Sequence, residues 1–325
     1  MRYRKLGRWG VRVSEVGLGS WLTYGASVDE ASAIECLQRA YDQGVNFFDT
    51  ANVYAQGAAE QVLGKAVASW PRQSYVLATK VYMPMPSDPA QSPGPNDAGL
   101  SRKHIREQAD ASLRRLGVEY VDLYQCHRYD TTTPLEETCQ AMDDLVRAGK
   151  VLYWGTSEWS ADQLAHAVSL CRAHGWAMPA SNQPQYSALW RQPEKRVLAA
   201  CDDLGVGNVV WAPLAMGILT GKYASPDDVP ADSRAAGRGR QFMSQYFTGE
   251  VLDAVNQARV VATEAGCSLA QLALRWCLRR REVASVIVGA TKPHHVDDNV
   301  AAADLDVDDQ ALDRFDALLA PVAAS

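Results

Sequence analysis

One alternation runs along almost the whole chain and constrains the fold more than any motif. Short runs rich in β-branched and aromatic residues are separated by longer amphipathic runs. The strand candidates are Val16–Trp21, Val45–Asp49, Tyr75–Lys80, Val121–His127, Leu152–Ser157, Ala180–Gln183, Val209–Ala212 and Val286–Gly289. Helix candidates lie between them: Ala31–Gln43, a run beginning near Ala58, Ser101–Leu116, Leu135–Ala148, Ala161–His174, Glu194–Leu204, Val251–Ala265 and Ser268–Arg280. Gly44, Gly117, Gly149, Gly175, Gly205 and Gly266 follow helix patterns, where a C-terminal left-handed residue is wanted. Ahead of the alternation, YRKLG and VRVSEVG flank Arg8-Trp9-Gly10 as a small hairpin.

Eight strand–helix units imply a parallel sheet. A doubly wound sheet would use the same units. Two observations favour a closed barrel: no GxGxxG follows the first strand, and the chemically useful residues end many different strands, as at the C-terminal rim of a barrel. The expectation is a single domain over residues 1–325, a (β/α)8 TIM barrel with an N-terminal β-hairpin and extra helices.

Composition removes several classes. The chain is 47% hydrophobic and carries a net charge of −6, so it has a core and no basic footprint for nucleic acid. The N-terminus MRYRKLGRWG lacks the apolar segment of a signal peptide. No window approaches the ~18 apolar residues of a membrane span, so no membrane insertion is expected. The seven cysteines include no CxxC, which predicts reduced, mainly buried thiols in a cytoplasmic protein and no metal site.

Two connections are long for a compact domain. Residues 82–99 are rich in Pro and Gly, and residues 223–249 are polar. Both follow strand ends, which predicts binding lids on the rim rather than disorder.

Four polar groups stand at or just beyond strand ends. Asp49 closes VNFFD, Tyr54 follows in the loop, Lys80 closes YVLATK, and His127 closes YVDLYQCH. Singly, each has a bland reading: a cap, a loop aromatic, a snorkelling lysine, a core histidine. Together they form an acid–base set. Reducing a carbonyl by hydride makes an alkoxide that must be protonated. A phenol of pKa ~10 can do so if a nearby ammonium stabilises its phenolate. The expected roles are Tyr54 as general acid, Lys80 as the modulator that lowers its pKa, Asp49 as counter-ion to Lys80, and His127 as orienter of the carbonyl oxygen.

Several segments then carry a resemblance: YRKLGRWGVRVSEVGLGSW, FFDTANVYAQGAAEQVLG, VLATKV, LRRLGVEYVDLYQCHR, LVRAGKVLYWGTSEWS, NQPQYS, WAPLAMGILTGKY and VIVGATKPHHVDDN. The chain resembles an aldo-keto reductase over nearly its whole length, and most closely the branch of the voltage-gated potassium channel β subunits and their bacterial relatives. That resemblance implies a (β/α)8 barrel, NADPH (NADP+) as cofactor, and an Asp–Tyr–Lys–His tetrad matching Asp49, Tyr54, Lys80 and His127. The channel subunits often carry asparagine at the histidine position, so His127 favours catalysis over a purely regulatory role.

Cofactor contacts are implied in the same way. Gly19, Ser20 and Trp21 end the first strand, where a small backbone permits close approach, and Asp49 is shared with the tetrad. Ser157, Asn182 and Gln183 would hold the nicotinamide carboxamide, and Trp211 would stack on its ring, with a buried core tryptophan as the competing reading. Pro213, Leu214, Met216, Lys222 and Arg234 would clamp the pyrophosphate. Gly289, Thr291 and Lys292 lead into a helix, whose N-terminus suits phosphate. Thr291, Lys292 and Arg234 are candidates for the 2′-phosphate, His295 stands nearby, and Asp298 and Asn299 would bond the adenine. Glu158 departs from the pattern by standing where the channel subunits have arginine, as does His295 in place of their glutamine.

The expected substrate wall is Trp21, Tyr24, Tyr54, Tyr82, Arg128, Tyr129, Trp159 and Trp190, which suits small or aryl carbonyl compounds. Three readings follow. The first is an NADPH-dependent reductase of aldehydes and ketones. The second is an NADPH-binding regulatory subunit with little turnover, docked on a membrane protein. The third is a barrel hydrolase or isomerase without nicotinamide. Relatives in the branch form tetramers or larger rings, so homo-oligomerisation is expected by analogy.

Overall fold

The computed structural model describes all residues except 87–89, 228, 231–232 and 325, and leaves the side chains of residues 234 and 238 undescribed. Eight strands close into one all-parallel barrel: β3 (Val16–Gly19), β4 (Phe47–Asp49), β5 (Val76–Val81), β6 (Val121–Cys126), β7 (Val151–Ser157), β8 (Ser181–Gln183), β9 (Gly207–Trp211) and β10 (Val283–Val288). Each pairs with the next in chain order, and β10 closes the ring between β9 and β3. The order of elements is therefore that expected of a (β/α)8 barrel.

Helices follow the strands: α1 (Glu30–Asp42), α2 (Ala58–Val67), α3 (Arg102–Leu116), α4 (Leu135–Arg147), α5 (Ala161–His174), α6 (Val197–Leu204), α7 (Gly249–Glu264), α8 (Leu269–Leu278), α9 (Pro293–Ala301) and α10 (Asp309–Leu319). Local chemistry sets their ends. Ser160 and Ser268 each form a capping box with the glutamine three residues on. Gly117, Gly175 and Gly205 take left-handed conformations at the helix ends. The expected start of one helix at Glu194 is displaced, because Gln192–Lys195 forms a separate 3-10 turn before α6. The pattern reading missed α10, the last helix of the chain.

Alternation along the strands sorts side chains into two layers. One hydrophobic cluster lies between barrel and helices and takes Phe48, Leu77, Tyr124 and Val210. The other fills the barrel interior with Phe47, Val76, Ala78, Leu123, Val209 and Ile287. Leu6 and Val13 of the hairpin β1 (Tyr3–Lys5) and β2 (Arg12–Ser14) join this inner cluster, so the hairpin stoppers the N-terminal end of the barrel. Arg4 secures it by bonding the Glu15 carboxylate at 2.6 Å and the carbonyls of Leu278, Arg280 and Val283.

Both long connections leave the C-terminal ends of strands, β5 and β9. The second contains the short turns Arg234–Ala236, Arg238–Phe242 and Ser244–Tyr246, and is anchored by the buried Ala235, Met243 and Tyr246. All seven cysteines are free, and all but the half-buried Cys267 are buried. No helix among the described residues is long and apolar enough to cross a membrane.

Candidate active site

The rim at the C-terminal ends of the strands is where the backbone is strained. Among the described residues, the non-glycine residues at positive φ are Leu22, Ala55, Gln56, Glu158, Ala212, Ala215 and Met216, all in loops that follow β3, β4, β7 or β9. Such conformations cost about 1–3 kcal/mol each and persist where the surroundings impose them, commonly at functional sites.

Inside this rim the inner-face alternation of β4, β5 and β6 brings Asp49, Lys80 and Gln125 together. The fully buried Lys80 ammonium donates to Asp49 Oδ2 at 2.5 Å, to the Thr50 carbonyl at 2.9 Å and to the Tyr54 hydroxyl at 3.3 Å. The second Asp49 oxygen accepts from Gln125 Nε2 at 3.1 Å and from Gln183 Nε2 at 2.9 Å. The carboxylate is thus paired and bonded on both oxygens, which a buried charge requires. The His127 ring lies edge-on to Tyr54, with centroids 5.7 Å apart. The four expected residues form one cluster.

The electrostatics differ from expectation at one point. Burial pulls the Lys80 ammonium down, but Asp49 and then Tyr54 more than offset that, so it stays cationic. Burial raises the Tyr54 phenol above its ordinary value, and the opposing pull of Lys80 does not overtake it. Tyr54 is thus a protonated donor through the neutral range rather than a phenol lowered towards it. The His127 imidazole is held well below its usual range by burial, then by Lys80 and Arg128. It is neutral at pH 7, and its buried Nδ1 has no hydrogen-bond partner among the described residues.

The residues expected around a cofactor fall into three groups. Trp211 is half-buried at the end of β9, packed edge-on against Trp21 with centroids 5.7 Å apart. Pro213, Leu214 and Met216 form the strained turn that follows. Lys222, Thr291 and Lys292 are exposed on neighbouring loops, with Gly289 beside them. The Thr291 hydroxyl meets His295 Nδ1 at 3.3 Å. His295 is pushed down by burial, then by His294, Lys222 and Lys292, so these side chains share one neighbourhood. Lys292 is the residue just before α9, which begins at Pro293.

Other expected contacts are already engaged. Ser20 and Ser157 are buried, their hydroxyls given to Thr50 and to the Gln183 carbonyl. Asp298 ties α9 to the start of α8 by accepting from Ser268 and Gln271, and Asn299 is buried beside it. The Arg234 side chain lies outside the described residues.

Three placements bear on the expectations. Asn182 alternates away from Gln183, faces the helix layer, and accepts from the Thr156 hydroxyl at 2.8 Å, so it is not in the rim set. A side chain at Gly19 would stand 2.6 Å from an Ile287 methyl, so strand packing also requires a small residue there. Tyr24 is 1% exposed, in contact with Cys36 of α1, and offers no surface to a substrate.

The remaining wall is mixed. Trp159 is also 1% exposed and backs Tyr129, whose ring stands 4.9 Å away. Tyr82 is half-buried at the start of the first long connection, and its carbonyl takes the Gly99 amide. Arg128 bonds the His127 carbonyl at 2.6 Å. Trp190 is held by backbone pairing with Ala324 of the C-terminal tail. Sequence reasoning passed over Gln125, although its inward place two residues before His127 was readable from alternation. It also missed Phe242, which packs on Trp21 at 5.1 Å from a segment with no periodic signal.

Comparison with known proteins agrees with this architecture. The model of the Aldo/keto reductase family matches residues 15–320. A probable voltage-gated potassium channel subunit beta of Oryza sativa subsp. japonica is 43% identical over 309 residues, 94% of this chain and 92% of the relative. A protein of the same description from Arabidopsis thaliana is 41% identical, covering 94% and 92%. A putative voltage-gated potassium channel subunit beta of Schizosaccharomyces pombe is 42% identical, covering 93% and 88%. With a closed parallel barrel, a stoppering hairpin and a family match over nearly all its length, the chain belongs to the aldo/keto reductase family.

Proposed function

We propose that this protein reduces aldehydes or ketones to alcohols with NADPH, and that Tyr54 is its general acid. The observation that carries this reading is the Lys80 ammonium, held by Asp49 at 2.5 Å and placed 3.3 Å from the Tyr54 hydroxyl. The rim suits a dinucleotide: a half-buried Trp211 for a flat ring, and Lys222, Lys292 and His295 grouped for phosphate. Bound NADPH would supply the hydride.

The chain's own residues do the rest. The neutral His127 offers an N–H that orients a carbonyl oxygen. As charge grows on that oxygen, the Tyr54 hydroxyl gives it a proton. Lys80 stabilises the phenolate left behind, and Asp49 keeps Lys80 charged while it does so. Thr50, Gln125 and Gln183 hold the pair in place.

The test is loss of NADPH absorbance with an aromatic aldehyde. Tyr54→Phe should reduce turnover by about 10²–10⁴-fold while leaving NADPH affinity within a few-fold of wild type. Full turnover in the variant would refute the assignment. A second reading, a regulatory subunit with little turnover, draws support from the names of the relatives. Tight NADPH binding, negligible turnover across a carbonyl panel and a co-purifying membrane protein would favour it. The protein acts in the cytoplasm in both readings, and self-association is proposed by analogy with the branch.

A further inference from the structure

One carboxylate on the rim joins two elements that are far apart in sequence. Glu158 is the first residue past β7, in left-handed backbone at φ 58°. Its Oε1 accepts from Trp211 Nε1 at 2.7 Å and from the Gln185 backbone amide at 2.5 Å. The Gln185 side chain in turn donates to the Tyr246 hydroxyl at 2.8 Å. On the other side, Trp211 packs on Trp21 and Trp21 packs on Phe242, with centroids 5.7 and 5.1 Å apart. Phe242 and Tyr246 belong to the same long connection, so the two routes from Glu158 close a circuit around the rim.

We propose that Glu158 is a positioning residue that sets the Trp211 ring and, through Gln185, seats the 238–246 segment over the rim, so that segment and cofactor site move as one unit. The chemistry suits that task. An indole N–H to a carboxylate is a charge-assisted bond. Glu158 is exposed, so holding the charge there costs little desolvation. The strained φ aims the side chain across β8 towards β9 and is the kind of cost a positioning residue carries. The part of the inference that concerns cofactor rests on the dinucleotide reading above; the seating of the segment does not.

The experiment is hydrogen exchange across residues 238–246 in the ligand-free protein, paired with NADPH affinity from fluorescence titration. Glu158→Ala should speed exchange in that segment by about tenfold, the equivalent of one good hydrogen bond, and weaken NADPH binding by about 5–10-fold. Glu158→Gln keeps an oxygen acceptor and should restore both towards wild type. Unchanged exchange in Glu158→Ala, or equal damage in both variants, would overturn the proposal. If the segment loosens in Glu158→Ala while wild type binds no NADPH, the positioning role stands and the dinucleotide reading falls.

Discussion

At the residue scale the site is governed by one buried ion pair and what it does to a phenol. Lys80 is fully buried and Asp49 nearly so. Lys80→Met would leave the Asp49 charge with only amide donors. A loss of about 3–5 kcal/mol is expected, the usual cost of breaking a buried pair. Urea unfolding would measure it, and the double variant Asp49→Asn/Lys80→Met should recover much of the loss by removing the stranded charge. The pH dependence follows from two directions. His127 is lowered well below its usual range, so it stays neutral and adds no inflection near pH 6.5. Tyr54 is raised, so it keeps its proton past a phenol's ordinary value of ~10. Reduction measured on saturating substrate should be flat through neutrality and decline only on the alkaline side. An inflection near pH 6.5 that disappears in His127→Asn would contradict this picture.

At the element scale, close approaches decide what composition leaves open. Gly64 sits inside α2, where alanine would ordinarily be the better helix former by about 1 kcal/mol. A Cβ there would stand 2.5 Å from the Leu116 carbonyl oxygen at the end of α3. Backbone cannot give way as a side-chain tip can. Gly64→Ala should therefore destabilise by about 1–3 kcal/mol, read from the midpoint of a thermal or denaturant transition. A stabilised variant would mean that helix propensity outweighs the contact. The same two helices share a buried carboxylate, Glu60, which accepts from Thr79 of β5 and Arg115 of α3 at 2.6 Å each. Alternation along β5 thus serves both faces: Thr79 turns outward to fasten a helix, and Lys80 turns inward to the site.

At the scale of the whole molecule, the hairpin is fastened to the barrel by packing and by charged side chains. Arg4 bridges the hairpin to the loop before β10, and Glu15 also receives Arg275 at 3.3 Å. Arg4→Ala is expected to cost about 1–3 kcal/mol, less than a full buried pair because Arg275 remains. Protection from hydrogen exchange should fall first at residues 1–15 and in β10. If stability is unchanged, the hairpin is an ornament on a barrel that closes without it.

Much of this was legible in the chain. Short apolar runs such as VNFF and YVLA, glycine stops and serine caps act over a few residues, so they determined the strands, most helix ends and the placing of Asp49 and Lys80 at strand ends. The eightfold repeat determined that the sheet was parallel and suggested its closure. The details around the rim were not legible, because contacts between residues far apart in sequence leave no local period. Asn182 and Gln183 are neighbours with the same chemistry, and only strand register turned one towards Asp49 and the other towards Thr156. Phe242 came to Trp21, and Gln185 to Tyr246, through a connection without periodicity. The sign of the Tyr54 shift was likewise a tertiary result: the lysine beside it was readable in advance, but how far the phenol lost contact with water depended on the assembled barrel.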